Sequence, residues 1–116
     1  MKSQDKWVLT MTTMQNNVDV LAKIQNWYAE MCNDDWEHVY GIFISNIDNP
    51  GWSFKVELKD TYLYDVRFEK LHIQREDEDD WITCNVKEGD FQGYGGPGNL
   101  TELLGIFLTW AEENKP

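Results

Sequence analysis

Apolar and polar residues alternate most regularly over residues 52–59. Trp52, Phe54, Val56 and Leu58 are separated by Ser53, Lys55, Glu57 and Lys59. A period of two puts every apolar side chain on one side of an extended chain, so this stretch predicts a strand with one dry and one wet face. Just upstream, Tyr40, Ile42 and Ile44 alternate with Gly41, Phe43 and Ser45, a run apolar enough to predict a buried strand. Asp48-Asn49-Pro50-Gly51 separates the two runs. Proline presets φ for the second position of a turn and glycine accepts positive φ at the third, which predicts a type II turn. The two runs therefore read as an antiparallel hairpin. A slip of one residue would turn the Trp52 face into water, so the register should be fixed.

The period changes on both sides of this hairpin. Val20, Leu21, Ile24, Trp27, Tyr28 and Met31 recur at three- and four-residue spacing and predict a core-facing helix over about residues 17–32. Asn16, Asn17 and Asp19 suit its start, and Cys32-Asn33-Asp34 its end. Leu100, Leu103, Leu104, Phe107, Leu108 and Ala111 predict a second helix over about residues 100–113, with Asn99 or Thr101 as its cap. Between the hairpin and this helix, Leu71 and Ile73 suggest a strand near residues 69–76, and the β-branched and aromatic run 81–86 suggests another. In the latter, Ile82, Cys84 and Val86 share one face, and Trp81, Thr83 and Asn85 the other. Glu88-Gly89-Asp90 turns the chain into a brief segment from Phe91 to Tyr94.

The fold class that follows is α+β: an antiparallel β-meander of about four to six strands packed by an N-terminal and a C-terminal helix. Its expected span is residues 17–114, with residues 1–16 as an extension whose alternation of Trp7, Leu9 and Met11 reads as either a frayed tail or a short strand-like arm.

Composition narrows the function classes. The 116 residues, 41% apolar with six tryptophans, suffice for the core of one domain. No apolar run approaches the roughly 20 residues that span a bilayer, and no signal-peptide pattern opens the chain, which favours a cytoplasmic protein. The net charge of −11 disfavours nucleic acid and anionic membranes as partners and favours a basic protein. The oligomeric state is left open.

Candidate chemistry is sparse. Gly93-Tyr94-Gly95-Gly96-Pro97-Gly98-Asn99 leads into a helix but lacks the lysine and hydroxyl of a phosphate-binding loop, so it reads as a turn. Cys32 and Cys84 have no metal-ligand or redox spacing and read as small core residues. His38 and His72 belong to no cluster, so neither a metal nor a cofactor is expected. Glu76-Asp77-Glu78-Asp79-Asp80 repel one another and lack the spaced ligands of a calcium loop. They predict an exposed hairpin loop, either merely solvated or a contact surface for a basic partner.

As a set, Asp35-Trp36-Glu37-His38, Asp48-Asn49-Pro50-Gly51-Trp52 and Gly95-Gly96-Pro97-Gly98-Asn99-Leu100 resemble the immunity protein 53 family of bacterial polymorphic toxin systems. Trp27-Tyr28, Cys32, Trp81 and Cys84 add to the likeness, which covers about residues 20–111. The resemblance implies a small non-enzymatic antidote that binds and neutralises a cognate toxin domain. A basic toxin such as a nuclease would meet Glu76, Asp77, Glu78, Asp79 and Asp80 as phosphate mimics, with Trp36 and Trp81 as exposed anchors. Asp35, Trp36, Asn49, Pro50, Gly51, Trp52, Gly95, Gly96, Pro97, Gly98 and Asn99 read as fold-making motif residues. Two alternatives stand beside this: a small enzyme such as a sulfurtransferase using Cys84, and a generic acidic interaction module.

Overall fold

A computed structural model describes residues 19–116. The arm around Trp7 to Met11 and the helix start at Asn16 and Asn17 lie outside the described residues. The described part of helix α1 covers residues 19–31. It is followed by a single turn, α2 (Trp36–Val39), then β1 (Ile42–Ile47), β2 (Gly51–Glu57), β3 (Leu71–Gln74), β4 (Trp81–Lys87), β5 (Asp90–Gly95) and α3 (Leu100–Glu113). The five strands form one antiparallel sheet, preceded in sequence by an N-terminal helix and followed by a C-terminal one, so the chain is α+β.

The strand order is β1-β2-β5-β4-β3. β3, β4 and β5 form a meander, while β1 and β2 form a separate hairpin that joins it through β2 and β5. The brief Phe91 segment of the sequence reading is thus the central strand. The Glu88-Gly89 connection into it has φ of 57° and 82°, the two left-handed residues that match a tight turn to the twist of the strands.

Cross-strand pairing shows which face is dry. Val56 pairs with Phe91 and Phe91 with Val86; Phe54 lies level with Gly93 and Cys84. Phe54, Val56, Ile82, Cys84 and Phe91 are fully buried on this side. Helix α3 lies over it, adding Leu103, Leu104, Phe107 and Trp110 to the core. Phe107 meets the rings of Trp27 at 5.0 Å, Phe91 at 5.2 Å and Phe54 at 5.9 Å, edge to face, the arrangement aromatic quadrupoles favour. Gly93 and Gly95 permit this close approach, since a Cβ there would stand 3.1 Å from Leu103 and 3.0 Å from Asn99. Tyr62 links the two helices: its hydroxyl accepts from Trp27 Nε1 at 3.2 Å and donates to the Ala111 carbonyl at 3.1 Å.

Several expectations are corrected. β1 is not a buried strand: it forms an edge of the sheet beyond the reach of α3, which packs on β2 and β5. Ile44, although on the helix-facing side, is therefore 44% exposed. Gly51 does not adopt positive φ; it is the first residue of β2, paired with Ile47. Glycine is required there for space, because a Cβ would run into the carbonyl oxygen of Gly95. On α1, Trp27 is buried and Val20, Ile24 and Met31 pack at the core margin, but Leu21 and Tyr28 remain exposed because they lie at the far edge of the stripe.

Trp36 is also corrected. It is not an exposed anchor but 1% exposed, wedged edge-on against Trp27 at 5.9 Å and Tyr28 at 5.8 Å. Local chemistry puts it there. Asp34 takes φ of 74°, the Asn33 side chain accepts from the N–H groups of Asp35 and Trp36, and Glu37 accepts from those of Asn33 and Asp34. These reciprocal bonds cap α2 and turn its first residue inward.

Candidate functional site

The acidic run forms the connection between β3 and β4. Its backbone closes on itself: the N–H of Arg75 donates to the Asp80 carbonyl at 3.0 Å, and that of Asp80 to the Asp77 carbonyl at 2.9 Å. Asp77 Oδ1 accepts from the N–H of Asp79 at 2.9 Å, an Asx turn that stiffens the tip. Glu76, Asp77, Glu78 and Asp79 are exposed and Asp80 is half-buried.

Asp80 belongs to the mount of this loop. Its Oδ1 accepts from Arg75 Nη1 and from Asn99 Nδ2, both at 2.9 Å. The Arg75 guanidinium also grips Glu102 in the first turn of α3 with two bonds, 2.9 and 2.6 Å. Hydrogen bonds from Asn99 and Arg75 hold the Asp80 carboxyl below the usual carboxylate range, and those from Arg75 do the same for Glu102. The two carboxylates in turn raise the affinity of Arg75 for its proton. Asn99 precedes α3 without capping it through its side chain, contrary to expectation. Its amide faces mainly the hairpin, donating to Asp80 and accepting from the N–H of Trp81 at 3.3 Å, with a longer bond of 3.4 Å to Glu102.

The two glycine-containing motifs meet beneath the same loop. Gly96 donates its N–H to the Trp81 carbonyl at 3.1 Å, and a Cβ at Gly96 would strike the Asp79 carbonyl oxygen. Trp52 pairs with Gly95 across the strands and donates Nε1 to the Pro97 carbonyl at 2.8 Å. Gly51, Trp52, Gly95, Gly96 and Asn99 are thus stacked from β2 through β5 to the root of the acidic hairpin. Asn49, Pro50, Pro97 and Gly98 stay exposed in their connections. Asp35 and Trp36 are not part of this assembly: their contacts are with the cap of α2 and with α1.

Trp81 is half-buried beside the hairpin, level with Gln74 on the face of the sheet that α3 does not cover. Sequence reasoning missed Arg75 and Glu102. The signal was present in part: Arg75 is the cation adjoining five carboxylates. Nothing in the spacing linked it to Glu102.

Cys84 is fully buried, and burial together with the nearby Glu102 charge pushes its thiol up to about 12. A thiol in that setting is neither ionised nor reachable. A surface groove between α1 and α3 is lined by Lys23, Trp27, Glu30, Tyr62, Leu108 and Glu112 among others, and no described residue lining it is cysteine or histidine. Among the described residues no group of three histidine, cysteine or acidic side chains is placed to hold a metal ion. No helix among them is long and apolar enough to cross a membrane.

Neither a curated protein nor a solved structure matches the chain. The family model described as immunity protein 53 matches residues 21–112, a span that includes the capped turn at Trp36 and both glycine motifs under the acidic hairpin. With the match covering most of its length, the chain belongs to the immunity protein 53 family.

Proposed function

We propose that this protein is a non-catalytic cytoplasmic antidote that binds a cognate toxin domain and blocks its working surface. Membership of an immunity protein family over residues 21–112 carries this reading. The geometry of the acidic hairpin supports it. Inhibition needs complementary shape and charge rather than reactive groups, and a loop already held in one conformation loses little entropy on binding. Glu76, Asp77, Glu78 and Asp79 project from such a loop, while Asp80 fixes its root. A toxin with a basic cleft, such as a nuclease, would accept these carboxylates in place of phosphates, and their field would speed the encounter.

A sulfurtransferase acting through Cys84 has the burial of that thiol against it. A generic acidic module is separated from an antidote by the partner alone. The test is co-expression with the toxin encoded beside this gene, followed by a pull-down in rising salt. The expected result is protection of the host and a stable complex whose affinity falls as salt screens the charges. A chain that neither binds nor protects overturns the proposal.

A further inference from the structure

The side of the sheet opposite α3 carries a composition unlike the rest of this highly charged molecule. Its two middle cross-strand rows are Ser45-Ser53-Tyr94-Thr83-His72 and Phe43-Lys55-Gln92-Asn85. Hydroxyls, amides and aromatic rings fill them. Lys55 is their single permanent charge, and it lies over the Phe43 ring, 4.8 Å from the centroid. Tyr94 stands on the central strand and is 37% exposed; Phe43 at the edge is 49% exposed. His72 is tied to Thr83 Oγ1 at 2.8 Å. A surface whose middle is poor in charge and holds aromatic anchors among small adaptable polar groups has the make-up of a protein-binding surface.

The ends of the strands supply the sign of the partner. At one end stand Glu57, Glu88 and Asp90; at the other stands the Glu76–Asp80 run. Within the five strands and the 75–80 and 88–89 connections the cations are Lys55, Arg75 and Lys87; Lys59, Arg67 and Lys70 lie on the connection from β2 to β3. Arg75 is already consumed by Asp80 and Glu102. Burial and the neighbouring Glu57 and Glu88 charges make the Asp90 carboxylate harder to ionise, with Lys55 only partly offsetting them. Such crowding leaves excess negative potential that a cationic surface would relieve.

We infer that the toxin docks on this open face of the sheet, with Tyr94 as the central anchor and the carboxylates at both strand ends framing a basic surface. The inference rests on the antidote reading and assigns its site. The acidic hairpin is then one rim of a broader interface.

The experiment is calorimetric titration of the adjacent-encoded toxin with the unmodified protein, with Tyr94→Arg, Ser53→Arg and Phe43→Ser, and with Thr109→Arg and Glu113→Arg on the helical side. Thermal melts verify that each variant is folded, and Phe43→Ser, at an exposed edge, serves if a central variant fails to fold. Sedimentation of the free protein gives its oligomeric state. Loss of affinity by about 30-fold or more for the open-face variants, with less than about a threefold change for the helical ones, supports the assignment. Unchanged binding by folded open-face variants overturns it while leaving the antidote reading intact. A dimer of the free protein that Tyr94→Arg splits gives the face to a second copy and also overturns it. Absence of binding by the unmodified protein overturns both.

Discussion

Arg75 and Glu102, 27 residues apart in sequence, are joined by two parallel hydrogen bonds that fasten the acidic hairpin to the first turn of α3. Fork-to-fork pairing of guanidinium and carboxylate fixes direction as well as distance. Both groups are more than one-third exposed, so the pair contributes orientation more than global stability.

Acid should loosen this fastening. Asp80 and Glu102 titrate below their ordinary values of 3.8 and 4.5 in the folded protein. Their stabilising effect is therefore full above those ordinary values and is lost as pH falls through the depressed ones. Thermal melts between pH 7 and pH 2.5 should show this loss beginning below about pH 4.5. Glu102→Gln, which keeps the shape but drops the charge, should make the acid dependence shallower and increase hydrogen exchange at residues 75–80.

Asp90 should behave with the opposite sign. Burial first, and then the Glu57 and Glu88 charges, raise its proton affinity in the folded state. A raised carboxylate destabilises the fold at neutral pH, and that penalty disappears once the group is protonated. Asp90→Asn should stabilise the protein at pH 7 by up to about 1 kcal/mol, and the gain should vanish near pH 3. The stability difference between variant and parent, followed by urea titration across pH, measures this.

Two glycines in one motif should respond differently to alanine. A Cβ at Gly96 meets the Asp79 carbonyl, which cannot retreat without opening the hairpin. Gly96→Ala should cost about 1–3 kcal/mol or more. At Gly98 nothing lies within 4 Å of the position of a Cβ and φ is not left-handed. Gly98→Ala should be neutral or stabilising, by up to about 1 kcal/mol, through the unfolded chain. Urea midpoints at constant slope report both.

Phe107 is fully buried among Trp27, Phe54, Phe91 and Trp110. Phe107→Ala should cost about 3–5 kcal/mol by leaving a cavity that four rings cannot fill. Phe43→Ala should cost far less, because that ring is about half in water at a sheet edge. Comparing the two by chemical denaturation tests where the core ends.

Cys84 should resist a thiol reagent at pH 8 in the folded protein and react at once in denaturant. Its thiol is buried and ionises only near 12. Rapid native labelling at Cys84 would contradict the packing of β4 under α3 and would reopen the enzyme reading.

Much of the fold was legible in residue spacing. Period-two alternation located β2, three- and four-residue spacing located α1 and α3, and the repulsion of five adjacent carboxylates located the loop between β3 and β4. These patterns are local: each reports which side of one element is apolar, and the chain must bury that side somewhere. Spacing could not report what lies opposite. That β5 is central, that β1 overhangs the helices and that Gly51 gives way to Gly95 are all decided by pairings between distant segments. The Arg75, Asn99 and Glu102 mount belongs to the same class, since hydrogen-bonding groups carry no periodic signal and find their partners only when the sheet and α3 have packed. The sequence determined the elements and their apolar faces because those depend on backbone period and burial; tertiary packing decided the candidate site, because a surface is defined by what folding leaves uncovered.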